Sequence, residues 1–303
     1  MDKQIHRGTL EMVAAMLISG TIGWFVLLSG LPVLEVVFWR CVFGALTLLV
    51  VCAMLGFLRP GLLSRYTAML AVVSGVAIVG NWLLLFASYS RASIAIGTAV
   101  YNVQPFMLVI LAALFLGEKL TLQKLAWLSI SFLGMLAIVS AHGSAGQGGG
   151  DYLVGIAFAL GAAFLYAVAA LLIKKLKGVP PHLIALIQVS VGVLMLAPLA
   201  DFTTLPQGQQ TWAILLTLGV VHTGGMYVLL YGAIQKLPTA LTGALSFIYP
   251  IAAIAVDWVA FDHQLGALQW LGVAAILLAA AGMQQGWSLR VRWSTARRLN
   301  PKP

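Results

Sequence analysis

Polar and aromatic side chains recur inside long apolar stretches of this 303-residue chain, at spacings that place several of them on one helical face. Thr98, Tyr101, Asn102 and Pro105 follow one another at steps of three and four residues. In hydrocarbon such groups usually face the protein interior, because an unsatisfied polar group in lipid is costly. The pattern predicts a cavity that binds a small molecule through Trp24, Asn81, Trp82, Tyr101, Asn102, Tyr166, His222, Tyr227, Ser246 and Tyr249.

The chemistry of this set suits a flat, amphipathic and overall neutral ligand. Aromatic rings stack on other rings, and their faces attract an ammonium group. A zwitterionic aromatic amino acid fits this description, and so do many drugs and neutral metabolites. A sugar phosphate fits less well, because a phosphate site favours Lys or Arg at mid-depth and only Arg40 comes near that depth.

Two prolines lie among these residues. Pro105 and Pro250 each remove one backbone hydrogen bond, which leaves the carbonyls of Tyr101 and Ser246 without their usual partners. We expect both helices to bend there and to act as hinges. The alternative is a kink that only shapes helix packing.

Three ionisable side chains within the apolar stretches have more than one possible role. Arg40 holds a ligand carboxylate, pairs with Glu35 or Asp257, or extends outward to water. Asp257 forms an outer gate with Arg40, or is an interfacial acid in water. His222 is a hydrogen-bonded packing residue or a proton carrier.

Composition places these residues in a membrane protein. Hydrophobic residues make up 61% of the chain and charged residues 8%, against roughly 25% charged in soluble domains. A membrane-spanning helix needs about 20 apolar residues. Ten such stretches are predicted, at roughly 9–29, 33–57, 66–88, 92–116, 121–140, 152–176, 181–199, 211–234, 238–260 and 265–287.

The loop charges predict the orientation. Lys and Arg near the ends of spans stay in the cytoplasm. With ten spans and both termini inside, all but Arg40 and Arg91 of the 17 Lys and Arg residues fall on the cytoplasmic side. The net charge of +9 is explained by these short loops, so a nucleic-acid partner is not expected.

The sequence also contains an internal repeat, in which residues of the second half align with residues 145 positions earlier. Gly80 aligns with Gly225, and Pro105 aligns with Pro250. Because five spans per half is an odd number, the second half must enter the membrane from the opposite side, and such inverted repeats are typical of transporters. The predicted segments are a first repeat at 1–141, a Gly-rich linker at 142–151, a second repeat at 152–288 and a basic cytoplasmic tail at 289–303.

Several short segments carry a family resemblance. Trp24 in TIGWF, the FWR that contains Arg40, QPF with Pro105, LGEKLT at the start of the fifth span and YP with Pro250 resemble the EamA type of the drug/metabolite transporter superfamily. Within it the chain is most similar to bacterial aromatic amino acid exporters. The resemblance implies an all-α membrane protein with ten transmembrane helices as two inverted five-helix repeats and both termini cytoplasmic, in the bacterial inner membrane.

These observations predict a transporter rather than an enzyme. We expect export of amphipathic small molecules, especially aromatic amino acids, by alternating access without a coupled ion; a proton-coupled exporter of drugs or other metabolites is the alternative. An embedded enzyme would need clustered acids or histidines, and a channel fits a two-fold repeat poorly. No cofactor or metal is expected. The expected partners are the small-molecule substrate and the lipid bilayer, with the chain as a monomer or weak homodimer.

Overall fold

Helices form every regular element in the described part of the chain. The computed structural model describes residues 3–59, 61–116, 121–140, 149–173, 175–176, 178–203, 205–237, 245 and 248–287. The helices are α1 (Lys3–Leu28), α2 (Val33–Met54), α3 (Arg65–Ala92), α4 (Ile94–Tyr101), α5 (Gln104–Leu116), α6 (Leu122–Ser140), α7 (Gly149–Ile173), α8 (Pro181–Leu196), α9 (Gln209–Gly219), α10 (Met226–Lys236), α11 (Ile248–Phe261) and α12 (Ala267–Gln285).

The apolar stretches form the helices that their length predicts. Among the described residues, seven helical segments are long and apolar enough to cross a membrane by length and composition. Three shorter apolar helices, Leu125–Ile138, Ile248–Phe261 and Ala267–Gly282, lie where the fifth, ninth and tenth spans are predicted. The structure thus supports a multi-pass membrane protein, while the count of ten spans and the side of each terminus remain predictions.

The predicted fourth span is not one continuous helix. It is divided into α4 and α5 by a two-residue interruption at Asn102 and Val103. Pro105 explains the break, since it cannot donate to the carbonyl of Tyr101. The Asn102 side chain lies at the end of α4, where its Nδ2 donates to the carbonyl oxygen of Thr98 at 2.7 Å. The helix is therefore interrupted where the sequence predicts a bend, and the bend itself and its role as a hinge stay predictions.

The predicted eighth span contains a π-helical turn. Residues Val220–Gly225 form this turn between α9 and α10. Two side chains on it contact carbonyls five residues earlier: Thr223 Oγ1 donates to Leu218 O at 2.9 Å, and His222 Nδ1 lies 3.1 Å from Thr217 O. Such turns recur at functional sites, because they redirect side chains that a regular helix would place elsewhere.

The two sequence halves interleave rather than standing apart. α3 packs against α7, and α1 packs against α10 and α11. α2 packs against α8 and α9, α4 against α7 and α11, and α6 against α12. The last pair touches closely through Gly134 and Gly272, where added Cβ atoms would meet the backbone oxygen of the facing glycine. Each half therefore folds mainly on the other, so the interior lies between them.

Close contact between α2 and the π-helical turn depends on three glycines. A Cβ on Gly219 would collide with Phe43, one on Gly44 with Thr223, and one on Gly224 with Thr47. Without side chains at these positions the backbones can approach. This approach brings α2, which carries Arg40, against His222 and Thr223 of the other half.

Candidate substrate site

Arg40 carries a formal positive charge and is nevertheless buried. It is only 2% exposed, although it lies seven residues inside α2. Its Nε donates to Thr223 Oγ1 at 2.8 Å. Its Cζ lies 4.3 Å from the ring centroid of Trp82 and 5.4 Å from that of Phe86, which follows one turn later on α3. A hydroxyl and two ring faces thus hold the guanidinium group.

The predicted gate between Arg40 and Asp257 is not formed in this structure. Neither Asp257 nor Glu35, the two acids expected beside Arg40, is its partner among the described residues. The terminal nitrogens of Arg40 form no hydrogen bond with the described part of the chain. Outward extension is also wrong for this structure, because the side chain is buried.

Asp257 instead joins the two halves through a helix end. Its Oδ2 accepts a hydrogen bond from the backbone N–H of Ala95 at 2.9 Å, in the first turn of α4. Its Oδ1 lies 3.0 Å from Nδ1 of His263. The carboxylate is fully buried, so the interpretation as an acid in water is also wrong. Burial is compensated by the free N–H groups and the positive dipole end of α4.

Five tyrosines from both halves converge near Arg40. The hydroxyls of Tyr89, Tyr101 and Tyr227 lie within electrostatic range of the guanidinium group. Tyr166 and Tyr249 complete the group, since Tyr101 lies within the same range of both. The rings of Tyr101 and Tyr166 meet edge to face with their centroids 6.0 Å apart. We call these five residues the tyrosine cluster.

The tyrosine cluster is partly exposed at Tyr166 and has the Thr98 hydroxyl beside it. Tyr166 is 38% exposed although its ring contacts the buried Tyr101. Thr98 Oγ1 is buried within hydrogen-bonding reach of the Tyr89 and Tyr249 hydroxyls, although the geometry of these contacts is not ideal. The cluster therefore has rings for stacking beside the guanidinium group of Arg40.

The two predicted asparagines form hydrogen bonds within the protein. Asn81 is buried, and its Nδ2 donates to Ala162 O at 2.7 Å and to the hydroxyl of Tyr101 at 3.3 Å. It links α3 to α7 and orients a ring of the tyrosine cluster. Asn102 uses its amide nitrogen at the α4 break. Direct contact of either residue with a ligand stays a prediction.

His222 lies behind Arg40 in an occupied environment. Its Nε2 lies 2.9 Å from Thr21 Oγ1, and Phe25 lies against its ring at a centroid distance of 4.8 Å. Because the Thr217 carbonyl can only accept, Nδ1 carries a hydrogen. The single hydrogen of the Thr21 hydroxyl is shared between two acceptors, Nε2 at 2.9 Å and the Ile18 carbonyl at 2.8 Å. This arrangement matches a packing residue. Trp24, one residue before Phe25, is 38% exposed.

The remaining predicted residues do not all lie beside Arg40. Trp82 and Tyr227 lie beside Arg40. Pro250 is buried in the described part of α11. Ser246 lies outside the described residues, so a bend in the ninth span that matches the one at Pro105 stays a prediction.

Sequence reasoning missed Thr223, Phe86 and Tyr89. The two aromatic residues follow Trp82 by four and seven positions, so helical spacing places all three on one face. Thr223 had no comparable signal, because the π-helical turn changes which side chains face α2. The glycine pair in VVHTGG was the only hint of irregular backbone there.

An apolar groove lies away from this site. It is bounded by α11 and α12, and its walls include Ile254, Trp258, Trp270 and Leu277. His263 at its rim already contacts Asp257. None of the residues predicted to bind a small molecule lines it, so it is not the candidate site.

Comparison with known proteins places this architecture in a family. The model of the EamA-like transporter family matches residues 6–140 and 153–284. The chain is 30% identical to the uncharacterized transporter YxxF of Bacillus subtilis, over 92% of this chain and 90% of that protein. It is 26% identical to the pseudopaline exporter CntI of Pseudomonas aeruginosa, over 84% of this chain and 87% of that protein.

A solved crystal structure has the same fold, with a TM-score of 0.65 and 18% identity over 95% of this chain and 98% of the other. The apolar helical segments, the packing of the two halves and the family match all fit a multi-pass membrane transporter. The chain belongs to the EamA-like transporter family.

Proposed function

We propose that the protein exports amphipathic small molecules, in the first place aromatic amino acids, by alternating access without a coupled ion. The observation that carries this proposal is the tyrosine cluster. Tyr89 and Tyr101 come from the first half, whereas Tyr166, Tyr227 and Tyr249 come from the second. A ligand stacked on these rings would contact both halves at once, as alternation requires.

The packing of the helices supports an inverted repeat. The third span packs against the sixth as α3 on α7, and the corresponding pair, the eighth span and the first, packs as α10 on α1. The fourth span also packs against the sixth, and the ninth, as α11, against the first. Exchange of the halves maps each pair onto the other, which is the symmetry that lets one rocking motion open either side.

Each end of the molecule has a link between the halves. Asp257 caps α4 at the end predicted to face outward. At the end predicted to face the cytoplasm, Lys236 Nζ lies 2.6 Å from Glu11 Oε2. We infer that opening each side breaks its own link while the other persists.

The polar contacts of His222 support transport without proton coupling. Proton coupling favours a titratable group exposed along the substrate path. His222 is 2% exposed and occupied by Thr21 and Thr217. The alternative, a proton-coupled exporter of drugs or other metabolites, requires this ring to exchange protons during the cycle.

The names of relatives support export, but they do not point to one substrate. CntI is named as a pseudopaline exporter, and YxxF is named only as a transporter. The choice of aromatic amino acids therefore rests on the rings and hydroxyls of the tyrosine cluster.

Counterflow in liposomes tests this function. Purified protein should exchange labelled Trp, Phe and Tyr with saturation, and a pH gradient should leave the steady state unchanged. Tyr101→Ala should lower the rate by about tenfold, because it removes a ring worth about 0.5–1.5 kcal/mol of stacking together with its buried area. The matched control is Leu133→Ala on α6, whose side chain is 63% exposed and should change the rate less than twofold.

Three results would contradict the proposal. Flux that does not saturate would favour a channel. Exchange of a cationic drug but of no amino acid would favour the drug exporter. Accumulation driven by a pH gradient and abolished by His222→Gln would show proton coupling.

A further inference from the structure

We propose that Arg40 binds the carboxylate of the substrate, which makes the transported class aromatic carboxylates rather than amphipathic molecules in general. This inference rests on the proposed transport function and names the chemistry that the site selects. It begins from a charge whose partner is absent from the described residues.

Burial of a cation is costly unless a counter-charge or strong acceptors compensate it. Arg40 is 2% exposed, and each of its contacts is formally neutral: the Thr223 hydroxyl, the rings of Trp82 and Phe86, and the nearby tyrosine hydroxyls. Ring faces offset part of the cost. The remainder favours an anion that is not part of the described chain.

The known contacts of the guanidinium group leave one edge of it, with the two terminal nitrogens, without a hydrogen-bond partner among the described residues. Nε donates to Thr223, and the guanidinium group lies over the ring of Trp82. The planar fork of the two terminal nitrogens matches a carboxylate, which can accept two parallel hydrogen bonds.

The surroundings of this edge define the rest of the ligand. Tyr89, Tyr101 and Tyr227 lie within electrostatic range of the guanidinium group, and Tyr166 extends the rings toward accessible space. A molecule with a carboxylate close to an aromatic ring would place its charge on Arg40 and its ring among the tyrosines. An aromatic amine without a carboxylate would add a second positive charge instead.

Competition against labelled phenylalanine counterflow tests the class in the wild-type protein. The competitors are 3-phenylpropionate, which lacks the ammonium group, and phenethylamine, which lacks the carboxylate. We expect 3-phenylpropionate to compete and phenethylamine to be weaker by about 30-fold or more, the range found when one partner of a buried charge pair is removed. Equal competition by the two compounds would overturn the inference while leaving aromatic transport intact.

Arg40→Gln tests the residue, with Arg91→Gln as its matched control. Arg91 is the other cation predicted on the outer side, and it is exposed, with its Nη1 on the Ala87 carbonyl and its Cζ over Phe158. Arg40→Gln should abolish the preference for 3-phenylpropionate over phenethylamine, and Arg91→Gln should keep it. A retained preference in a folded Arg40→Gln protein would overturn the inference.

The wild-type competition decides the class even if Arg40→Gln fails to fold. If the wild type transports none of the aromatic amino acids, the proposed function fails and this inference fails with it. If it transports them and ignores the carboxylate, only this inference fails.

Discussion

Two cations in this protein hold the halves together in different ways. Lys236 Nζ contacts the Glu11 carboxylate at 2.6 Å and the Gly232 carbonyl at 3.1 Å, near one end of the helix bundle. Glu11 also accepts from Arg7 at 3.0 Å. Arg40 crosses between the halves inside the bundle, and its partner is the Thr223 hydroxyl.

The free-energy cost of burying a charge would favour a carboxylate beside the more buried cation, and the opposite is observed. The Lys236 side chain is 26% exposed and has a carboxylate, whereas Arg40 is 2% exposed and has none among the described residues. A protein selected only for stability would place the acid beside the more buried cation. The arrangement therefore suggests that Glu11 and Lys236 complete a structural link, while Arg40 is left incomplete for a ligand.

The largest expected effect comes from giving Arg40 the kind of partner that Lys236 has. Thr223→Asp introduces a carboxylate where the hydroxyl already touches Nε. It should lower phenylalanine counterflow by about 30-fold or more, because an internal acid competes with the substrate for the guanidinium group.

Thr223→Asn is the matched control, since it has nearly the same shape as Asp without the charge. Loss of transport in the Asp variant with substantial transport in the Asn variant supports the comparison. Equal loss in both would mean that the turn tolerates no change at this position and that charge is not the cause.

A smaller effect is expected when Arg40 loses its only hydrogen-bond partner among the described residues. Thr223→Val keeps the β-branched shape and removes the hydroxyl. The free energy of unfolding should fall by about 1–3 kcal/mol, because the buried Nε is left unpaired. Phenylalanine should restore part of the thermal stability, since it binds the folded state. A variant with unchanged melting temperature would contradict the importance of this contact.

The smallest effect is expected at the completed pair. Glu11→Gln removes the carboxylate from Lys236 but leaves a cation with access to water. A partly exposed ion pair contributes about 1 kcal/mol or less. The concentration of phenylalanine that half-saturates counterflow should therefore change by about fivefold or less. A tenfold change would place this pair in the substrate path rather than at a structural end.

The comparison also shows which part of the site the sequence could predict. Apolar length located the helices, and Pro105 located the break between α4 and α5, because both are local properties. Helical spacing located Tyr101 and Thr98 on one face. Depth along a helix likewise placed Arg40 inside the membrane region.

The partner of Arg40 required information that local patterns do not contain. Asp257 has the complementary charge at a similar predicted depth, but its carboxylate caps α4. Gly44 and Gly219 bring α2 against the π-helical turn, and the turn presents Thr223. Such contacts depend on how closely two helices approach and on the rotation of each, which a single sequence does not specify.

The location of a bound ligand tests the central claim most directly. We would determine the structure of the protein with 4-bromophenylalanine, whose bromine marks the ring by anomalous scattering. The carboxylate is expected within about 3 Å of the terminal nitrogens of Arg40, with the bromine among the rings of the tyrosine cluster. A ligand bound between the halves with its carboxylate away from Arg40 would contradict the assignment.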